Sequence, residues 1–380
     1  MGDAEHGTDA ARRRVVSDVD RMCRGDVAPP VAELSDRAAL LVALGLTTPA
    51  VRDVVLRRLH HGLPMPTIGG FHQLRVIEEQ RHAARRVLEH TPGSMLRLAV
   101  RTRLAELDRR HLTLRAGFVR APGVFATRGR DIRTDRRNGV HLDTTERAQL
   151  FDALASTPTL QPVPLVPRTM IELGAVAAAR GQREMGRVPL PQRVQTVVET
   201  LPPMPAIRAE RTELPEMYTA MIMEAAGLYD RLQLAYRRGE GVVDEIRLQF
   251  DAESELVDIA HDLCRLREAA TEAGRLPDTA RFSGKTGLGP AIDGVWTEIV
   301  ERTVALRELV ESVEARVREH LGRLEAMERT ARQFGVHPDP ARHVPGPVDR
   351  AAEHLVHGAG NRELSIETMR RLRGQVDRGA

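Results

Sequence analysis

Residues 292–324 read IDGVWTEIVERTVALRELVESVEARVREHLGRL, and this stretch decides the fold class. Its apolar residues recur every three or four positions, at Ile292, Val295, Ile299, Leu306, Val310, Val313, Val317, Leu321 and Leu324. Because an α-helix makes one turn in 3.6 residues, this spacing places them on one face. The stretch therefore predicts a long amphipathic helix that buries one face against other elements.

Two earlier segments show the same periodicity. Their apolar positions are Met217, Met221, Leu228 and Leu232 in the first segment, and Leu256, Ile259, Leu263, Leu266 and Ala270 in the second. A glycine-containing turn near Gly239 separates them, and Gly274 and Pro277 close the second. Since a short connection reverses the direction of the next helix, residues 215–335 are predicted to form a long antiparallel three-helix bundle with coiled-coil-like packing.

The rest of the chain is also predicted to be mainly α. Residues 31–200 alternate helical patterns with Gly and Pro breaks, which indicates a domain of short helices. Residues 346–376 are predicted to add a C-terminal helical pair. Residues 1–30 are polar and have few apolar side chains to bury, so they are expected to form a flexible tail.

A small β element is expected near residues 113–142. Phenylalanine, valine and isoleucine residues alternate there with glycines, a pattern typical of short strands and turns. After this segment, Asp143 followed three residues later by Glu146 predicts a capped helix start. Pro49 predicts another start, with Thr47 or Thr48 as the cap.

Composition limits the classes of function. The chain has 56 basic residues, of which Lys285 is the only lysine, and its two asparagines are Asn138 and Asn361. This bias is typical of a GC-rich genome, so a scattered arginine carries little information about function. Two distant cysteines fit no disulfide framework, and no stretch is long and apolar enough to span a bilayer, so a cytoplasmic protein without membrane contact is expected.

Positive charge is concentrated between Arg101 and Arg137. This segment has eleven arginines and four acidic residues. Guanidinium groups bind phosphates, and the interleaved Phe118 and Phe125 could stack on bases. The candidate contacts to nucleic acid or another anion are Arg120, Arg128, Arg130, Arg133, Arg136 and Arg137. The alternatives are an ordinary solvated arginine surface and a layer of intramolecular salt bridges.

Other motifs give weaker hypotheses. Gly284-Lys285-Thr286 matches the end of a Walker A loop, but position 279 is Thr where the pattern needs Gly. His354 and His357 share a helix face and could bind a metal with His337 or His343. The pattern of residues 351–373 is similar to a helix-turn-helix with an overlong turn. No metal, cofactor or catalytic residue is assigned.

These observations favour a non-enzymatic protein of macromolecular interaction, or scaffold, with nucleic acid or a protein as its partner. Self-association through the bundle is a further expectation, with Val304 and Leu309 on the flank of the apolar stripe as contacts; the alternative is that a monomeric bundle buries them against the N-terminal domain. The alternative is an enzyme acting on a small phosphate- or carboxylate-bearing substrate, with His111 or His141 as the acid or base.

Overall fold

The computed structural model describes residues 2–24, 34–67, 70–90, 94–157, 217–272, 290–333 and 368–371. The chain divides into two compact units, one formed by Met22–Glu216 and the other by Met1–Arg21 with Met217–Ala380. All regular secondary structure in these described ranges is helical. None of the described helices is long and apolar enough to cross a membrane.

The Met22–Glu216 unit is built from short helices around a helical hairpin. Its helices are α2 (Asp36–Gly45), α3 (Pro49–His60), α4 (Phe71–His90), α5 (Ser94–Arg120), α6 (Gly129–Arg137) and α7 (Thr144–Ser156). Helices α4 and α5 form the hairpin, and α7 packs on α2, α4 and α5. The fully buried side chains include Leu41, Leu74, Leu107, Leu150 and Phe151. Their burial supplies the main driving force for this unit.

Local sequence signals account for several helix starts in this unit. Asp143 accepts from the backbone N–H of Glu146, and the Glu146 side chain accepts from the N–H of Asp143, which completes a capping box. Thr48 is the N-cap of α3 and Pro49 its first residue, as predicted, although the Thr48 side chain makes no capping hydrogen bond. These two starts are confirmed.

The expected β element at residues 113–142 is not found. Residues 113–120 continue α5, residues 129–137 form α6, and the segment holds one isolated bridge between Pro122 and Phe125. The helical spacing of Leu107, Leu114 and Phe118 runs through Gly117, so the glycine does not end the helix. The glycines suggested turns, but the 3.6-residue period was the stronger signal.

The second unit is a helical bundle. It contains α1 (Gly2–Arg24) up to Arg21, together with α8 (Met217–Arg238), α9 (Asp244–Gln249), α10 (Ala252–Glu272) and α11 (Pro290–Gln333). Helices α8, α10 and α11 each pack on the other two. Residues 368–371 are helical as well, and Met369 is buried.

Charged pairs show the directions of the bundle helices. Glu224 of α8 pairs with Arg307 of α11, and seven residues further along both helices Arg231 pairs with Glu314. The first and third long helices therefore run parallel, and the antiparallel three-helix order remains a prediction. Coiled-coil packing among them remains a prediction.

The predicted flexible tail at residues 1–30 does not match the helix Gly2–Arg24. Ala11, Val15 and Val19 lie four residues apart and are buried. Arg14 pairs with Glu311 at 3.0 Å, and Asp18 pairs with Arg307. The composition of the whole segment is polar, but its one apolar stripe is buried, and the two ion pairs join the helix to α11.

Val304 and Leu309, expected to meet a second copy, are buried within the chain. They are therefore unavailable for self-association in this structure. Most of the predicted C-terminal pair lies outside the described residues.

Candidate nucleic-acid interface

Helix α6 separates its charges onto two sides. At 100° per residue, Arg130, Arg133 and Arg137 fall on one face with Arg136 on its flank, and Asp131 and Asp135 fall on the opposite side. None of the residues of α6 is buried. The helix therefore presents a face of four arginines to solvent.

Arg120 and Arg128 lie just outside this helix. Arg120 is the last residue of α5 and Arg128 is the N-cap of α6, and both side chains are exposed. Among the described residues, none of the six predicted arginines forms an ion pair. The six are Arg120, Arg128, Arg130, Arg133, Arg136 and Arg137, and we refer to them as the arginine cluster.

Other exposed arginines of the same unit have carboxylate partners. Arg109 and Arg110 both donate to Glu106, at 2.9 and 2.8 Å, and hydrogen bonds from these two lower the pKa of Glu106 to about 2. Arg115 makes a two-point contact with Asp152 at 2.9 and 3.0 Å. The arginine cluster differs from these residues in forming no ion pair with a carboxylate in the described part of the chain, although Asp131 and Asp135 lie on the other side of the same helix.

The acidic side of α6, opposite its arginine face, borders a cleft. The cleft has a volume of about 410 Å³, and its lining includes Asp131, Asp135, Arg128 and Arg58. Asp135 interacts electrostatically with Arg58. Helix α6 thus directs its carboxylates toward a buried arginine and its own arginines to water.

Arg58 ties together the loops that support α6. Its guanidinium donates to the carbonyl oxygens of Val140 at 2.9 Å, Pro64 at 3.1 Å and Val124 at 3.1 Å. The side chain is buried, and this burial lowers the pKa of its guanidinium, with a smaller contribution in the same direction from Arg147. Arg58 therefore fixes the segments on both sides of α6.

Phe125 lies beneath two guanidinium groups. The Arg147 guanidinium carbon is 4.0 Å from the Phe125 ring centroid, and that of Arg58 is 5.2 Å away. Both distances are within the range of cation–π contacts. Arg147 also donates to the carbonyl oxygens of Leu142 and Val119. These contacts hold the loop between α5 and α6 on the core.

The predicted stacking role of the two phenylalanines is not supported. Phe118 is 2% exposed and packs on Phe151, and Phe125 is 4% exposed. Neither ring offers a free face for a base. The exposed side chains of this segment are the arginines rather than the rings. Charged groups of this kind can bind phosphates, but they provide no ring on which a base could stack.

His111 belongs to a different polar network, between α4 and α5. Its Nε2 lies 3.0 Å from Oε1 of Glu78, an atom that also accepts from Arg81 at 2.6 Å. Arg81 reaches Asp108 at 2.8 Å as well. Burial is the main cause that lowers the pKa of His111.

His141 lies in the loop after α6. Burial and the nearby charges of Arg136 and Arg147 lower its pKa. Neither His141 nor His111 is among the described residues that line the cleft beside Arg58. The structure therefore does not place either candidate acid or base in that cleft.

Sequence reasoning missed Arg58 and Arg147. In a chain with so many arginines, nothing in the local pattern distinguishes these two, and their roles depend on burial against distant loops. Lys285, His337, His343, His354 and His357 lie outside the described residues. Within the described part of the chain, no group of histidine, cysteine and acidic side chains is arranged to hold a metal ion.

A comparison of the chain with protein-family models, curated proteins and solved structures finds no match.

Proposed function

We propose that this protein is a non-enzymatic macromolecular-interaction protein that contacts a nucleic-acid backbone through the arginine cluster. The observation that carries the proposal is the contrast in pairing within one unit. Arg109, Arg110 and Arg115 are exposed or half-exposed and bound to carboxylates, whereas the cluster has no carboxylate partner among the described residues. Exposed cations of this kind are available to phosphates.

The chemistry of the cluster suits phosphate oxygens. Arginine donates through a planar fork whose geometry matches a phosphate and keeps its charge at any physiological pH. The arginine face of α6 runs over the eight residues from Arg130 to Arg137, and the seven steps between them span about 10 Å of helix at 1.5 Å per residue. At one phosphate per about 3.4 Å of axis on each strand of a duplex, this length covers about three phosphates, so the face would work together with Arg120 and Arg128.

The expected binding is independent of base sequence. Contacts to phosphates position a protein on nucleic acid but carry no sequence information. The buried Phe118 and Phe125 add no stacking platform. We therefore propose backbone recognition, with the helical bundle of the other unit as a scaffold for further interactions.

Two other hypotheses for these arginines have less support. A buried layer of intramolecular salt bridges would require the six side chains to be covered and paired, but all six are exposed. An enzyme acting on a small anion would require arginines and a histidine to converge on one pocket, and the described lining of the Arg58 cleft includes Arg128 but neither His111 nor His141.

The test is a titration of labelled duplex DNA and single-stranded RNA of random sequence with the full chain, followed by fluorescence anisotropy over a salt series. If each of the six arginines neutralises one phosphate, the slope of log K against log[salt] on duplex DNA is about −5. Replacing all six arginines by glutamine should abolish binding while the helical circular dichroism spectrum stays the same. Absence of binding by the native chain at low salt would refute the proposal.

A further inference from the structure

Helix α11 extends beyond the bundle that holds its first part. It has 44 residues, and α8, which runs alongside it, has 22. At 1.5 Å per residue these lengths are about 66 and 33 Å. Val317 of α11 contacts Gly239, which directly follows α8. Beyond Val317, residues 318–330 are exposed except for the half-buried His320.

The apolar stripe of α11 continues into this extension. Leu306, Val310, Val313 and Val317 are buried and alternate in spacing between four and three residues. The same alternation continues through His320, Leu324 and Met327. In heptad notation the a positions are 310, 317 and 324, and the d positions are 306, 313, 320 and 327. These a and d positions form one continuous seam along α11. The seam is buried as far as Val317, whereas beyond it Leu324 is 43% and Met327 67% exposed.

The charges beside the exposed seam fit a second copy of the same helix. Arg323 occupies a g position and Glu328 the following e position. In a parallel two-stranded coiled coil, a g residue of one helix faces the e residue five positions further along the other. Two parallel copies would therefore form two symmetric Arg323–Glu328 pairs. An antiparallel arrangement would place g opposite g and lose this match.

We propose that residues 317–333 of α11 pair with the same segment of a second chain in a parallel, two-stranded coiled coil. The helix is already formed and anchored by the bundle, so pairing does not require helix nucleation, which is the main cost for an isolated short coil. Leu324 and Met327 are the central contacts, and Leu321, at an e position, flanks them.

The interface is expected to be of moderate strength. It spans about two and a half heptads, and His320 places a polar side chain at one d position, which favours a single register at a cost in stability. Arg323 also pairs with Glu319 on its own helix, and both of these side chains are exposed. The dimer should therefore form and dissociate with protein concentration.

The first test is light scattering coupled to size-exclusion chromatography of the full chain across a wide concentration series. The native chain should shift from monomer to dimer mass, and the double variant Leu324→Glu with Met327→Glu should remain monomeric throughout. Leu112→Glu is the matched control, because Leu112 is 62% exposed on α5 of the other unit. It should dimerise like the native chain.

Orientation is tested by disulfide cross-linking and charge reversal. Leu324→Cys places a thiol at an a position, where parallel helices bring the two copies together, and it should give a covalent dimer on oxidation that Leu112→Cys does not give. Arg323→Glu should weaken the dimer, and adding Glu328→Arg should restore it.

Three results would overturn the proposal. The first is a native chain that stays monomeric at the highest concentration, as it would if another segment of the chain covered the seam. The second is a dimer that survives the Leu324 and Met327 substitutions. The third is a cross-linking pattern, or a failure of charge reversal to restore dimerisation, that excludes parallel pairing.

Discussion

Arg302 of α11 donates from its Nε to Oε1 of Glu255 in α10 across 2.8 Å, and both side chains are at least 95% buried. The same guanidinium contacts Asp262 at 3.2 Å. Arg302 therefore forms ion pairs with two buried carboxylates, and these pairs join α10 to α11 inside the core. An ion pair in such a place stabilises the fold only while every member is present.

Replacing Arg302 by methionine should reduce the free energy of unfolding by about 3–5 kcal/mol, because Glu255 and Asp262 would be left buried without their cation. The measurement is denaturant unfolding of the full chain followed by circular dichroism. Arg14→Met is the control, since the Arg14–Glu311 pair of the same unit is largely exposed, and it should change stability by less than about 1 kcal/mol. Equal effects of the two substitutions would contradict this role for Arg302.

Gly239→Ala should destabilise the bundle by about 1–3 kcal/mol. A Cβ atom at this position would clash with Val317 and lie 3.2 Å from the Ala235 carbonyl oxygen and 3.3 Å from Val243. Gly227→Ala is the matched control, because Gly227 lies within α8 and has no heavy atom within 4 Å of an added Cβ. That change should stabilise the protein by about 0.5–1 kcal/mol through its helix propensity. Thermal unfolding should show a lower melting temperature for Gly239→Ala and a higher one for Gly227→Ala than for the native chain.

Glu224 should make the bundle less stable as the pH rises above about 4.5. Its burial, together with the nearby Asp18, raises the pKa of this carboxyl, while Arg307 and Arg231 act in the opposite direction. A group whose pKa is higher in the folded chain binds its proton more tightly there. Its contribution to stability is therefore complete below the unfolded pKa and is lost as the pH rises through the folded pKa.

Glu224→Gln removes this contribution but keeps an oxygen acceptor for Arg307. The unfolding free energy of the variant should fall less steeply between pH 4.5 and neutrality than that of the native chain. Denaturant unfolding at a series of pH values measures the difference. Parallel curves for the two proteins would show that Glu224 does not titrate in this way.

Arg58→Met should destabilise the Met22–Glu216 unit by about 1–3 kcal/mol, since the buried Val140 carbonyl would lose its donor and the partly buried contacts to Pro64 and Val124 would be lost with it. Arg57→Met is the adjacent control, because Arg57 makes one exposed hydrogen bond of 3.2 Å to the Gly139 carbonyl. It should cost less than about 1 kcal/mol. Similar losses in the two variants would mean that Arg58 does not fix the loops around α6.

The sequence predicted the long helices well because their burial follows a simple period. Ile299, Val310 and Val317 lie on one stripe, and all three are buried. The prediction for the first residues of the chain did not match the structure because composition was given more weight there than spacing. The polar first 24 residues contain the stripe of Ala11, Val15 and Val19, which the overall composition conceals.

The candidate site was only partly accessible from sequence. Counting charges located the arginine cluster, and the structure adds that its members are exposed and lack carboxylate partners among the described residues. The roles of Arg58 and Arg147 could not be predicted, because these depend on carbonyl groups brought close by the fold. Nor could the burial of Phe118 and Phe125 be read from their spacing.

The most direct test of the proposed function compares two triple variants that remove the same charge. Arg130, Arg133 and Arg137 become glutamine in one, and Arg109, Arg110 and Arg115 in the other. Their affinities for a labelled random-sequence duplex are measured at a single low salt concentration. We expect the first triple to lose at least about tenfold in affinity, equivalent to about 1.4 kcal/mol, and the second to bind nearly as the native chain does. Equal losses in the two variants, or binding unaffected by the first, would contradict recognition through the arginine face of α6.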